Sequence, residues 1–406
     1  MRVSIIVRQI GHYHDARIRA VFSFVPDLSV LSIVNEAGFS EFLSSDLGRY
    51  DVIRMFSGRS EYEEAVRTGT VGLAVGAALD RIEPDVVAIS GWATAESFAA
   101  INWARTKSRG IVVMAESQHG DATRSFVREY MKSRVVRLCD AGLVGGKPHM
   151  EYLERLGMPS NRIFLGYNAV ANEHFGSGAE LARKNDCDLR RRLGLPGRYI
   201  LASARFIPKK NIEGLIEAFA ASCAKNQNAP DLVILGDGVE RAKIDAVISA
   251  RNIGAKVHLL GFKRYDQLPA FYGLAEAFVH VSLIEQWGLV VNEAMASNLP
   301  VVVSSTCGVA GSLIEDGVNG IVVDPTSLES IAAGLDRIFK LDGDARTSMG
   351  RAAANTISRW GPQRFAKGLN SAIESATESG NLGRGLTQWD RFLLSRLSRR
   401  SMHHVS

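Results

Sequence analysis

Tyr199-Ile200-Leu201-Ala202-Ser203-Ala204-Arg205-Phe206-Ile207-Pro208-Lys209-Lys210-Asn211-Ile212-Glu213-Gly214-Leu215-Ile216-Glu217-Ala218-Phe219 spells a strand, a polar turn and a helix in immediate succession. The run to Ala204 is short and apolar. After the turn, Ile212, Leu215, Ile216 and Phe219 recur at helical spacing, so an amphipathic helix is expected from Ile212 to Phe219. The same alternation continues on both sides. Toward the C-terminus, strands are expected at Asp231–Leu235, Lys256–Leu260, Ala277–Val281, Pro300–Val303 and Gly320–Val323. Toward the N-terminus they are expected at Val3–Val7, Ser29–Val34, Asp51–Met55, Asp85–Ser90, Gly110–Ala115 and Ala141–Val144. Strands that alternate with helix-length segments imply parallel sheets joined by right-handed crossovers. The pattern lapses between 171 and 198 into a polar, charged stretch with Arg190-Arg191-Arg192 and Leu195-Pro196-Gly197. The chain therefore divides into a Rossmann-like domain over 1–170, a linker over 171–198 that includes a short lead-in helix, and a second Rossmann-like domain over 199–360. A closing helix at 361–380 and a basic tail at 381–406 follow. The fold class is α/β with two doubly wound domains, and the ligand site is expected in a central cleft beyond the carboxyl ends of the strands.

Bulk properties agree with an ordinary globular chain. The 406 residues are 46% hydrophobic and 22% charged, enough for two cores and too balanced for long disorder. No run approaches the roughly 20 apolar residues of a membrane helix. Val3–Val7, stopped by Arg8, reads as a first strand rather than a secretory leader. Cys139, Cys187, Cys223 and Cys307 stand singly, which argues for free thiols and against a disulfide or zinc framework. Residues 389 to 406 carry +3 of the +5 net charge, so the folded body is nearly neutral and no nucleic-acid partner is expected. A cytoplasmic location is expected, with peripheral attachment at the inner face of the membrane as an extension of it.

Chemistry concentrates in the second half. Arg205 follows a strand and Lys210 stands where a helix begins, so both can face a ligand at the strand end, where fixed positive charge suits a pyrophosphate gaining negative charge. Gly236-Asp237-Gly238 is a tight turn after a strand and is expected to bring backbone close to a ligand. Phe262, after Gly261, offers a ring that could flank a base. In Ser282-Leu283-Ile284-Glu285-Gln286-Trp287-Gly288-Leu289-Val290-Val291-Asn292-Glu293, Glu285 falls in a loop and Gly288 precedes the first free amides of a helix, an anion site in waiting. Glu293, two helical turns beyond Glu285, is expected to face the same side and to accept the hydroxyls of a ribose.

These ordered pieces resemble the retaining glycosyltransferases of family 4, which have the GT-B fold. The likeness is carried by Glu285 and Glu293 in Glu-x7-Glu spacing, by Arg205, Lys210 and Asn211, and by Gly236-Asp237-Gly238 and Gly261-Phe262. Leu299-Pro300-Val301-Val302 and Asp316-Gly317-Val318-Asn319-Gly320 complete it. It is strong over 199–375 and only outlined before that. The resemblance implies that Arg205 and Lys210 contact the diphosphate of a nucleoside-diphosphate sugar, that Glu293 holds the ribose and that Glu285 holds the transferred sugar. Amides near Gly288, Leu289 and Val290 are implied to hold phosphate or sugar. The family's Glu after the fifth strand is absent, Cys307-Gly308-Val309-Ala310-Gly311-Ser312 occupying that turn, and its Asn-Gly-Val-Asp junction appears as Asn168-Ala169-Val170-Ala171. Gly11, in Gly11-His12-Tyr13-His14-Asp15-Ala16-Arg17, resembles the family's N-terminal loop, where a Gly permits a tight turn beside the cleft, and it is a candidate donor-binding residue. His119, in Glu116-Ser117-Gln118-His119-Gly120, matches a His that lies near the donor sugar in relatives, and Trp92 is a candidate acceptor wall.

No cofactor or metal is expected beyond the nucleotide-sugar donor, because the D-x-D pairs Asp186-Cys187-Asp188 and Asp342-Gly343-Asp344 do not follow core strands. The acceptor is expected to be a saccharide or a lipid-linked hydroxyl in polysaccharide or glycolipid assembly. Arg124, Arg128 and Lys132 form a basic stripe, and Trp389, Phe392, Leu393 and Leu397 share one side of the last segment with Arg391, Arg396, Arg399 and Arg400 nearby. Either weak membrane-surface contact or a disordered tail fits that segment. Other GT-B chemistry, such as a nucleotide-sugar epimerase or a phosphorylase, and an idle sugar-nucleotide-binding module remain as alternatives at this stage.

Overall fold

The computed structural model describes residues 1–35, 50–122, 124–378 and 385–398. Two compact units emerge, Met1–Ala169 with Pro362–Ser406, and Val170–Gly361. The first contains β1 (Val3–Val7), β2 (Leu28–Val34), β3 (Asp51–Phe56), β4 (Val86–Ser90), β5 (Gly110–Ala115), β6 (Ala141–Val144) and β7 (Ile163–Leu165). All pair in parallel, in the order β3-β2-β1-β4-β5-β6-β7. Alternate residues of one strand enter different cores. Ile6, Ile89 and Val113 join the cluster of Phe98, Trp92 and Leu153, whereas Ile5, Ala88 and Val112 join Phe365, Leu369 and Ile373. A sheet covered on both faces is what a near-continuous apolar strand demands.

The second unit contains β8 (Tyr199–Ser203), β9 (Asp231–Leu235), β10 (Val257–Leu259), β11 (Ala277–His280), β12 (Val301–Ser304) and β13 (Gly320–Val323), again all parallel, in the order β10-β9-β8-β11-β12-β13. Strand order reverses between β8 and β11. The chain leaves these neighbours toward opposite sides of the sheet, and a crevice opens beyond their carboxyl ends. That is where the Arg205–Asn211 and Ser282–Gly288 loops begin.

Several boundaries differ from the sequence reading. Residues 171–198 are not a linker: Asn172–Lys184 and Asp186–Leu193 are helices, and the first packs on the Leu268–Gly273 helix through Phe175 and Ala179. Their polar composition belongs to outward faces, which is why the sequence suggests only a short lead-in helix there. The Pro362–Glu378 helix lies in the first unit, against β5, β6 and β7, with Phe365, Ala366, Leu369, Ala372 and Ile373 buried. The last described segment is a helix, Gln388–Ser398, that packs on the Ala95–Thr106 helix. It splits the expected apolar side: Leu393 and Leu397 are buried with Leu394, while Trp389 and Phe392 are exposed and stack on each other at 5.5 Å. Arg399 and Arg400 lie outside the described residues. No helix among those described is long and apolar enough to cross a membrane.

Candidate functional site

The loops after β8 and β11 are stitched together by backbone. Leu283 N–H donates to the Lys209 carbonyl at 2.8 Å, and Asn211, in left-handed conformation at φ 54°, donates its side-chain amide to the carbonyls of Val281 and Pro325. Asn211 thus ties the ends of three strands at one point, which is why an Asn, tolerant of that backbone region, follows the two lysines. The stitching brings Lys210 Nζ to Glu285 Oε2 in an ion pair with both side chains mostly buried. Arg205, on the same loop, is exposed and its guanidinium makes no hydrogen bond or ion pair with the described residues. One fixed cation and one free cation therefore flank the switch point.

Glu285 has a second partner that the sequence reading missed. His280, the last residue of β11 and 4% exposed, places Nε2 at 2.9 Å from the same Oε2, and Ser282 Oγ lies 3.1 Å from that nitrogen. Burial opposes ionisation of Glu285, but the hydrogen bonds and charges of His280 and Lys210 outweigh it and hold the carboxyl down to about 2. It is ionised across the physiological range. The available signal was a polar ring closing an otherwise apolar strand, five residues before the glutamate.

Gly288 caps the Leu289–Ala296 helix at φ +97°, and a Cβ there would meet Cys307 Sγ at 2.8 Å and Glu285 Cγ at 3.5 Å. Glycine is needed for both reasons. The first amides of this helix, those of Leu289 and Val290, have no intrahelical acceptor. Cys307 is buried, its Sγ 2.8 Å from the Trp287 carbonyl, and burial followed by the Glu285 charge raises its thiol far above the ordinary range. It is an inert packing group under the loop.

The surroundings of two expected site residues, Gly236 and Glu293, differ from the sequence reading. Gly236 was expected to open backbone toward a ligand. It sits at φ +121°, and a Cβ there would lie 1.9 Å from the Ala204 carbonyl oxygen, so glycine is required on both counts. The neighbour it admits is the β8 loop, and its N–H donates to Gly261 at 2.9 Å. That bridge positions Phe262, whose ring is 68% exposed. Glu293 was expected on the side of Glu285, two turns along one helix. Glu285 precedes that helix, and Glu293 is 1% exposed, accepting a 2.6 Å hydrogen bond from the Tyr272 hydroxyl. Its carboxylate is anchored there by Tyr272. Tyr272→Phe is accordingly expected to destabilise the second unit by about 1–3 kcal/mol, read as a lowered urea midpoint with unchanged slope. An unchanged midpoint would remove the anchor role.

In the first unit, Gly11 has extended backbone at φ −117°, so no glycine-only turn is made there; its N–H donates to His14 Nδ1. Burial, then the charge of Arg17, lowers the His14 ring to about 3. Arg17 is buried, donates to the Ala169 carbonyl at 2.9 Å and lies over the Tyr167 and Phe365 rings. His119 is exposed in a short 3-10 turn after β5, its ring 6.1 Å from that of Tyr152. It belongs to the first unit, whereas Arg205, Lys210 and Glu285 belong to the second. Trp92 is core, at 4% exposure, and offers no acceptor wall. The basic stripe is largely neutralised: Arg124 binds Asp121 and the Gln118 carbonyl, Lys132 binds Glu129, and only Arg128 stays exposed. Asp186 and Asp188 pair with Arg190 and Arg191, and Asp342 caps Ala345.

Residues 188–356 match the family described as glycosyl transferases group 1. The chain is 32% identical over 206 residues to alpha-D-kanosaminyltransferase of Streptomyces kanamyceticus, covering 50% of this chain and 52% of that protein. It is 32% identical over 118 residues to alpha-monoglucosyldiacylglycerol synthase of Acholeplasma laidlawii, 29% of each chain. The chain spans about half the length, or less, of these curated relatives. Among solved structures, HepE of Anabaena in complex with UDP and glucose superposes with TM-score 0.72 at 18% identity, covering 92% of this chain and 100% of that one. Sucrose-phosphate synthase of Thermosynechococcus elongatus gives TM-score 0.72 at 18% identity over 92% and 98%. Residues 188–356, which contain Arg205, Lys210, Glu285 and Glu293, thus carry the similarity to the glycosyl transferases group 1 family, and the two parallel α/β units have the GT-B fold.

Proposed function

We propose that this protein transfers a sugar from a nucleoside diphosphate to an acceptor hydroxyl, with retention at the anomeric carbon and without a metal. The observation that carries the reading is the ion pair of Lys210 with Glu285 beside the free guanidinium of Arg205, at the switch point between β8 and β11. Lys210 and Arg205 supply the positive charge that a departing diphosphate needs, in place from the start and so at no reorganisation cost. Glu285, fixed as an anion, faces a sugar ring that gains positive charge as its bond to phosphate breaks. A carboxylate so firmly paired is a poor nucleophile, which favours attack by the acceptor on the face the phosphate leaves, the phosphate oxygen taking the acceptor proton. Leu289 and Val290 amides add donors for phosphate or sugar, and exposed Phe262 offers a face for the base. His119 and Gly11 are assigned to the acceptor-side unit.

HepE was solved with UDP and glucose, and relatives include enzymes named for kanosaminyl and glucosyl transfer, so UDP-sugars are the first donors to try. The synthase relative is named for a diacylglycerol product, and the exposed Phe126, Tyr130, Trp389 and Phe392 supply apolar contact for a cytoplasmic enzyme working at a lipid surface. A thermal-shift screen over UDP-, GDP- and ADP-sugars tests the donor class. One series is expected to raise the melting temperature through mass action. No shift with any of them at millimolar concentration would remove the reading.

Metal independence has its own check. Activity is expected to persist in excess EDTA, because Lys210 and Arg205 already hold the positions a divalent ion would neutralise. Complete loss, with recovery on adding Mg²⁺ or Mn²⁺, would show that the cations do not suffice.

A further inference from the structure

We propose that His280 is a positioning residue for Glu285, presenting its Nε2–H to the carboxylate and fixing it where the reacting sugar must lie. This deepens the transfer reading above and rests on it. Three contacts carry the assignment. Nε2 stands 2.9 Å from Glu285 Oε2 and 3.1 Å from Ser282 Oγ, and both His280 and Ser282 are buried. The imidazole lies 6.4 Å from the Phe278 ring at 12°, so the plane in which Nε2 points is set by packing two residues earlier on the same strand face. Phe278 in turn touches Tyr272, the hydroxyl partner of Glu293, at 5.5 Å. A run of three rings, Tyr272, Phe278 and His280, thus joins the two glutamates through the body of the unit.

The tautomer follows from charge. If Nε2 carried only its lone pair, it would face an anionic oxygen at hydrogen-bond distance, which is repulsive. A proton on Nε2 turns the same contact into a donor to an anion. Ser282 Oγ is then a second acceptor for that proton, and its own hydroxyl is free to turn elsewhere. Lys210 reaches Oε2 on a flexible stem and supplies charge, whereas the ring supplies direction, because no torsion of its own moves Nε2 once Phe278 holds it flat. A rotation of the carboxylate that displaced it by about 1 Å from the sugar would cost roughly 100-fold in rate.

Two measurements on the full chain decide the matter. In the first, histidine is labelled with ¹⁵N, and the His280 signals are identified by their loss in His280→Gln. The expected result is a protonated Nε2 whose resonance shifts in Glu285→Gln. A bare Nε2, or no response to Glu285→Gln, overturns the proposal whether or not a sugar is transferred. In the second, His280→Leu keeps volume but removes the donor, and His280→Gln keeps an N–H near the same place. The Leu variant is expected to lose about 10–100-fold in kcat with donor KM within about 3-fold, and the Gln variant to recover most of it. Wild-type kcat in the Leu variant overturns the proposal, as does equal loss in both variants, which would mark a packing role. Absence of transfer by the wild type would instead sink the transfer reading, leaving the labelled-histidine result to judge the contact.

Discussion

Lys210→Ala is expected to lower turnover by about 10²–10³-fold at saturating donor. Its Nζ is held by Glu285 at the switch point and has 13% of its side-chain surface exposed, so the charge acts in a site poor in water. Removing it takes away a preformed stabiliser of the leaving diphosphate and also deprives Glu285 of its lysine counter-charge. Both effects fall mainly on the transition state, so kcat should drop more than KM rises. Arg205→Ala should lose turnover in the same direction. Arg205 is exposed and makes no ion pair with the described residues, so its loss leaves no orphaned buried charge among them, and the folded unit should keep its stability. Near-wild-type turnover in Lys210→Ala would remove the lysine from the mechanism.

Glu285→Gln is expected to lose activity on a similar scale, about 10²–10³-fold in kcat, with little change in donor KM. The amide keeps the shape but presents an N–H₂ or a neutral oxygen to two donors, Lys210 and His280. It also withdraws the negative charge from a sugar ring that turns positive as its bond breaks. Because the deficit lies in the transition state, saturating donor should not rescue it. The pH dependence has a definite sign. The folded carboxyl lies at about 2, below its ordinary 4.5, so its contribution to stability is fully present above about 4.5. That contribution is lost as pH falls through the window between the two values. Glu285→Gln should therefore flatten the acid limb of the stability curve and leave the neutral region parallel to wild type. A rise in KM with kcat intact would reduce Glu285 to a binding residue.

The fold was legible because β-branched runs and helix-length segments alternate. Every expected strand is present within a residue or so of its expected limits. β7 escaped notice because Ile163–Leu165 is three residues long, at the edge of its sheet. Between 172 and 193 only a short lead-in helix was expected where two helices stand, because their sequence is mostly solvent-facing charge, with only Phe175, Ala179 and Ala182 buried. Within the site, Lys210 and Glu285 could each be placed at a strand end facing one ligand, but their ion pair with each other could not be read from the sequence. Spacing along the chain said nothing reliable about facing. Glu293 follows Glu285 by eight residues, but a loop and a left-handed glycine intervene, so helical periodicity could not carry from one to the other. His280 and Tyr272 were invisible for a related reason. His280 depends on the face of β11 it shares with Phe278, and Tyr272 on how its helix packs against that strand, and both are settled by tertiary packing rather than by any local pattern. Gly236 shows a further limit. A turn glycine after a strand signals close approach, but the sequence does not say whether the approaching group is a ligand or, as here, the backbone of Ala204.

The central claim is that the second unit breaks a sugar–phosphate bond and hands the sugar to a hydroxyl, using Lys210 and Glu285. The most direct test is to incubate the purified chain with the donor chosen by thermal shift. Free nucleoside diphosphate and glycosylated product would be followed with and without a saccharide or diacylglycerol acceptor, for wild type, Lys210→Ala and Glu285→Gln. Acceptor-dependent release in wild type, matched mole for mole by product with the anomeric configuration of the donor, and nearly abolished in both variants, is the predicted result. Release at equal rates in all three proteins, or a product of inverted configuration, would contradict it.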